Sequence, residues 1–177
     1  EADLELLRFV ATTIALDVQN IRLHRVAVTD VLTGAYNREF LQQRLPIEVD
    51  KAASTGDHLS VAMLDVDHFK DVNDRHGHDV GDEVLAEVAS RLRGAIRGGD
   101  LLVRYGGEEF LIVLPRAEAG RAWEVAERMR ARLVGRSIHV GAVELKIAAS
   151  VGIAQLRADE TALELVRRAD TALYTAK

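Results

Sequence analysis

At 177 residues and 48% hydrophobic content, the chain has the length of one domain with a sizeable core, and disorder is excluded. Its 28 acidic residues outnumber 23 basic ones, for a formal charge of −5, so a general nucleic-acid binder is excluded and positive charge for an anionic ligand must be local. Cysteine is absent, which removes disulfides, thiol nucleophiles and thiolate metal sites. No apolar run reaches about 18 residues and no leader pattern is visible, so a cytoplasmic domain without a membrane segment is expected. The first residue is Glu1 rather than Met, as expected of a piece of a longer protein.

In chain order, Leu4, Leu7, Ala11, Ile14, Val18, Ile21, Arg25 and Val28 alternate in steps of three and four. This predicts a long helix over residues 1–28, either packed on its own domain or, the preferred reading, a dimerising coiled-coil stalk behind a sensory module. Residues 29–177 then form the second unit. Residues 30–38 read as a turn with Gly34 at the bend and Asn37 as a helix N-cap. A helix follows to about residue 54, with Phe40, Leu41, Leu45 and Val49 on its apolar face and a kink or break at Pro46. Residues 59–65 are a strand, followed by a loop bracketed by Gly77 and Gly81. Val80, Val84, Leu85, Val88, Leu92 and Ile96 mark a long amphipathic helix ended by Gly98 and Gly99.

Two short apolar runs around Gly106 and Gly107 predict a β-hairpin, the glycines supplying positive φ and an open backbone. Trp123, Ala126, Met129, Arg130 and Leu133 define a further helix. Residues 138–140 and 143–154 read as a hairpin turned near Gly141. Leu163, Val166, Ala169 and Leu173 mark the last helix. The whole is an α/β (α+β sandwich) fold, a mixed central sheet with helices around it.

The chemistry concentrates in two acidic clusters. Glu108 and Glu109 stand beside the open backbone of the hairpin, and two adjacent acids repel unless a cation or a phosphate-bound metal lies between them. The first strand ends in Asp65-Val66-Asp67, where a carboxylate is costly unless paired or bound to metal. Of Asp65 and Asp67, one is expected to share the site of Glu108. Hard oxygen ligands without cysteine suit Mg²⁺ or Mn²⁺.

Four blocks carry a family resemblance: Asp30-Val-Leu-Thr-Gly-Ala-Tyr-Asn-Arg38, Asp65-Val-Asp-His-Phe-Lys-Asp-Val-Asn-Asp74, Gly77-His-Asp-Val-Gly-Asp82 and Arg104-Tyr-Gly-Gly-Glu-Glu-Phe110. With the C-terminal stretch from Arg168 to Lys177, they make residues 29–177 similar to the GGDEF family of diguanylate cyclases, in its GGEEF variant. The resemblance implies a palm-like nucleotide-cyclase fold and condensation of two GTP into cyclic di-GMP in a homodimer, with two Mg²⁺ or Mn²⁺ per half-site. It implies metal ligation by Asp65, the Val66 carbonyl, Glu108 and Glu109, with Asp65, Glu108 and Glu109 catalytic. Asn73 and Asp82 would read guanine. Phe69, Lys70, His78, Gly106, Gly107 and Lys177 would line the nucleotide, Phe69 as pocket wall or core.

His68, His76 and His78 are not expected to form a metal cluster. Arg97 and Asp100 match the family's inhibitory R-x-x-D site, with Arg128 as a secondary arginine, so product would also be an inhibitor. The arginine usual a few residues beyond Lys177 is not in this sequence, from which weaker nucleotide binding is expected. Competing readings are a binding-only domain, a single-GTP cyclase and a structural dimerisation module.

Overall fold

A computed structural model describes residues 28–177; the expected stalk, apart from Val28, lies outside the described residues. The elements are α1 (Arg38–Thr55), β1 (Leu59–Val66), α2 (Phe69–His76), α3 (His78–Ala95), β2 (Leu101–Arg104), β3 (Glu109–Pro115), α4 (Ala119–Val134), β4 (Ile138–Val140), β5 (Val143–Leu145), β6 (Ala149–Gln155) and α5 (Ala162–Ala176). Four strands form the main sheet in the order β2-β3-β1-β6, and β4 pairs with β5 in a small separate sheet. Every named strand pair is antiparallel. Parallel pairing enters through the isolated bridge between Tyr36 and Val103.

β1 is central and buried along its whole length, which is why its sequence is a continuous apolar run instead of an alternating one. Its residues still divide by parity. Ala62, Leu64 and Val66 join Phe110, Ile112 and Leu114 in a core with the apolar faces of α3 and α4. Val61 and Met63 join Leu111 and Val113 in a second core under α1 and α5. The helix-covered sheet is therefore as expected, with one core on each face.

Several local expectations change. Pro46 lies inside an unbroken α1. The ring removes one backbone donor, but Leu41 and Leu45 before it and Ala52 after it are all buried, which offsets that cost. Residues 69–76 form a helix of their own, and Gly77 (φ 86°) is the joint to α3. Gly77 and Gly81 therefore do not bracket a loop, since Gly81 is buried within α3. That helix ends at Ala95 because Ile96 is extended, before Gly98 and Gly99. The run 143–154 splits between sheets: β5 closes on β4 through Gly141 (φ 56°), while β6 crosses to pair with β1. Trp123 and Leu163 lie on the predicted helices but on their exposed faces, 61% and 58% accessible. Val125 and Leu165 occupy the buried faces instead.

Close approach of α5 to the sheet rests on Gly152. A Cβ at that position would meet the Leu173 nitrogen at 2.1 Å and the Ala169 carbonyl oxygen at 2.2 Å, both main-chain atoms that cannot yield cheaply. Gly152→Ala is expected to cost on the order of 2–3 kcal/mol in urea unfolding by overpacking. Gly120→Ala, where nothing lies within 4 Å of the added carbon, should instead raise stability slightly, by roughly 0.5 kcal/mol.

Candidate active site

The β2–β3 hairpin and the end of β1 come together by register. Antiparallel pairing sets Asp65 directly opposite Glu109. By strand alternation both lie on the face covered by α5. The Val66 N–H donates to the Glu108 carbonyl at 3.3 Å, which ties the hairpin to the strand end. At the tip, the N–H groups of Tyr105 and Gly106 both reach the Glu109 carbonyl, at 2.8 and 3.2 Å.

The two glycines serve for one of the expected reasons only. Neither adopts positive φ. A Cβ on Gly106 would stand 2.4 Å from Glu109 Oε2, so glycine there admits the carboxylate. Gly107 faces open space and leaves the backbone accessible.

Lys177, at the end of α5, places Nζ 2.9 Å from Asp65 Oδ1. The hydrogen bond and charge of Asp65, with Glu109 and Asp67 nearby, hold the lysine above its ordinary pKa. Glu109 is shifted the other way from a stabilised acid. Burial pushes its pKa up, and the charges of Asp65, Asp170 and Glu108 add to this against the opposing Lys177. The site thus carries more negative charge than one ammonium neutralises. Asp67 is held aside, accepting from Ser150 Oγ at 2.8 Å.

Among the described residues, no three His, Cys, Asp or Glu side chains converge into a closed metal cage. The donor set of Asp65 and Glu109, with Glu108 adjacent, suits a hard cation that takes few protein carboxylates and completes its shell elsewhere.

Beyond this site, Asn73 on α2 lies against Gly81 on α3. A Cβ on Gly81 would fall 2.0 Å from Asn73 Oδ1 and 3.2 Å from Phe69 Cζ. Glycine therefore lets the two helices cross closely, and this brings Asn73 next to the turn that carries Asp82. Asp82, Lys70 and His78 are exposed, while Phe69 is buried in the α3/α4-side core.

Residues 27–177 match the family model described as diguanylate cyclase, GGDEF domain. The chain belongs to the GGDEF family. It is 41% identical over 155 residues to the response regulator PleD of Caulobacter vibrioides, covering 86% of this chain and 34% of that protein. It is 43% identical over 153 residues to the diguanylate cyclase DgcP of Pseudomonas aeruginosa, covering 85% of this chain and 22% of that protein. The chain thus spans about a third or less of these curated relatives. The crystal structure of the coiled coil and GGDEF domain of DgcB from Caulobacter crescentus, in complex with c-di-GMP, superimposes with a TM-score of 0.88 at 30% identity. It covers 98% of this chain and 92% of that one.

In this GGDEF domain, Arg97 and Asp100 are partners of each other. The Arg97 N–H and Nε donate to the two Asp100 carboxylate oxygens at 3.1 and 3.0 Å. The Asp100 side chain is 2% exposed and that of Arg97 52%. Each Asp100 carboxylate oxygen accepts from Arg97, and the pair closes the turn after α3. Arg128 Nε donates to the Ala95 carbonyl at 2.7 Å, which brings it to the same end of α3. A cleft of about 760 Å³, lined among others by Tyr36, Arg93, Arg97 and Asp100, runs from this turn to the entry segment.

Sequence reasoning missed Arg104 and Asp30 as partners, because their pairing joins positions 74 residues apart. No helix among the described residues is long and apolar enough to cross a membrane.

A raised acid pKa in the fold means that the native state holds its proton to higher pH than the unfolded chain, so stability falls as pH climbs through that window. Glu109→Gln removes the titration. Its melting temperature relative to the parent, in buffer without divalent cations, should therefore rise as pH increases above the ordinary glutamate value of 4.5.

Proposed function

We propose that this GGDEF domain condenses two GTP molecules into cyclic di-GMP and releases two pyrophosphates, working as a homodimer with Mg²⁺ or Mn²⁺, two per half-site. The observation that carries this reading is the register that opposes Asp65 and Glu109 beside the open backbone at Gly107. The similarity to DgcP, a diguanylate cyclase, supports it.

In the reaction, each 3′-oxygen forms a bond to the α-phosphorus of the other GTP. The bond from that phosphorus to the β-phosphate bridging oxygen breaks, pyrophosphate takes the electron pair, and the hydroxyl proton leaves to solvent or a base. Asp65, the Val66 carbonyl, Glu108 and Glu109 would hold a divalent cation, whose chemistry there would be to lower the pKa of the attacking hydroxyl and to offset triphosphate charge. The chain's residues do the positioning. Asn73 and Asp82 hold the guanine edge, a carboxylate accepting from its N–H donors. Lys70 and Lys177 face phosphates, and Gly106 and Gly107 let the triphosphate approach the main chain. Phe69 packs beneath and His78 borders the nucleotide. Lys177 holds Asp65 until nucleotide competes for its ammonium. One domain offers one half-site, so two must face each other across a two-fold axis.

Residues 1–28 are proposed as the coiled-coil stalk that joins this domain, 29–177, to a sensory module in the cytoplasm. The DgcB structure, which includes a coiled coil and covers 98% of this chain, supports that assignment. That structure is a complex with c-di-GMP, which supports product binding by this domain, and Arg97, Asp100 and Arg128 are the residues proposed for it. Asp100 serves there by presenting the Arg97 fork, which suits a guanine edge or a phosphate.

Incubation of the protein with GTP and Mg²⁺, followed by chromatography, should yield cyclic di-GMP; recovery of unreacted GTP leaves a binding-only domain, and a 3′,5′-cyclic mononucleotide a single-GTP cyclase. Asp65→Asn and Glu109→Gln should each lower the rate by more than roughly tenfold with native circular dichroism, because each deletes a ligand charge at constant shape.

Feedback is tested separately. Arg97→Ala should still form product, but its progress curves should stay linear to higher product concentration, and calorimetry should show weaker binding of added cyclic di-GMP. Equal curvature and equal binding in the variant would reduce Arg97 to a helix-end residue.

A further inference from the structure

Arg104 closes β2, and its guanidinium has two occupied edges. Nη1 donates to both carboxylate oxygens of Asp30, each at 3.1 Å. Nε and Nη2 donate to the carbonyl of Gly107, at 3.2 and 2.9 Å. The side chains are mostly shielded, 18% and 23% exposed. A planar fork can bridge two acceptors in this way; an ammonium cannot.

The Gly107 carbonyl belongs to the peptide that leads into Glu108. The next carbonyl, that of Glu108 itself, accepts from the Val66 N–H. The peptide planes on both sides of Glu108 are therefore restrained, one by Arg104 and the other by β1. Gly107 has no packing neighbours at its Cβ position, so side-chain packing does not brace this part of the loop.

The other end of the fork reaches the segment by which the chain enters the domain. Asp30 Oδ1 also accepts from the Thr33 N–H and Oγ1, at 2.9 and 2.6 Å, and so organises the turn at residues 30–35. Burial works against the Asp30 charge, but the Thr33 hydrogen bonds and the Arg104 charge outweigh it and hold the carboxyl below its ordinary pKa. The same segment is stitched to β2 by main-chain bonds from Tyr36 N–H to the Leu102 carbonyl and from Arg104 N–H to the Tyr36 carbonyl.

We infer that Arg104 is a positioning residue that fixes the Gly107–Glu108 peptide, and that Asp30 governs it from the entry segment. A shift of residues 28–36 takes Asp30 off the fork, leaves one guanidinium edge unpaired beside the Glu108 peptide, and changes the aim of Glu108 without touching a substrate contact. The inference rests on the cyclase reading and adds to it a route from the entry segment to the hairpin.

The test compares the parent with Arg104→Ala, Arg104→Lys and Asp30→Asn in the intact chain. Cyclic di-GMP formation is measured against GTP concentration, and hydrogen exchange is followed in residues 105–109 and in α3. Arg104→Ala should lower kcat by more than roughly tenfold with KM for GTP within about threefold, and added guanidinium should restore part of the rate. Arg104→Lys should remain slow, because charge without the fork does not bridge the two acceptors. Asp30→Asn should lower kcat in the same sense and raise exchange in the loop while α3 stays protected.

Should Arg104→Ala fail to fold, the lysine and asparagine variants decide alone. Parent-like kcat in both of them, or exchange raised equally in the loop and in α3, overturns the inference. A parent that makes no cyclic di-GMP overturns the cyclase reading and this inference with it. An active parent with indifferent variants overturns this inference only.

Discussion

The antiparallel register between β1 and β3 is the constraint on which the site depends. It sets Asp65 and Glu109 face to face at the ends of the two central strands. Two carboxylates in that position repel, and Glu109 carries the cost as a pKa raised by burial and by its acidic neighbours. The core behind them holds the register, since a slip of one residue would turn Val61, Met63, Leu111 and Val113 away from their helices. Stability is thus supplied by the apolar parts of two strands whose charged ends work against it.

The helices act as carriers for that site. α5 packs so closely on β6 that only glycine fits at position 152, and this approach delivers Lys177 to Asp65. The crossing of α2 and α3 follows the same logic, because Gly81 gives Asn73 its place next to Asp82. Each of these placements, Lys177 beside Asp65 and Asn73 beside Asp82, can be lost by adding one methyl group elsewhere. The Arg97–Asp100 pair shows a related economy, since one ion pair both closes the turn after α3 and presents a half-exposed guanidinium.

Much of the fold was legible in the chain. The continuous apolar run of β1, the 3.6-residue period of α3 and the glycine-rich turn between β2 and β3 each reflect burial on a particular pattern of faces, and burial is what residue types report. Local errors came where packing overrode propensity. Pro46 sits in an intact helix because buried residues flank it, and Trp123 is solvent-exposed although its spacing fits an apolar stripe. The run 143–154 reads as one strand because the change of sheet at residues 146–148 leaves no composition signal.

The sequence by itself determined the family, most of the order of elements and which acids and amides are candidates for the chemistry, because those depend on residue type and on spacing within a short stretch. Tertiary structure decided which of them meet. That Asp65 faces Glu109, that Lys177 reaches Asp65 from a helix over a hundred residues later, and that Arg104 spans from Asp30 to Gly107 are all contacts between distant segments. Such contacts follow from strand register and from the distance at which backbones can pack. A single chain read in order carries no local signal for either.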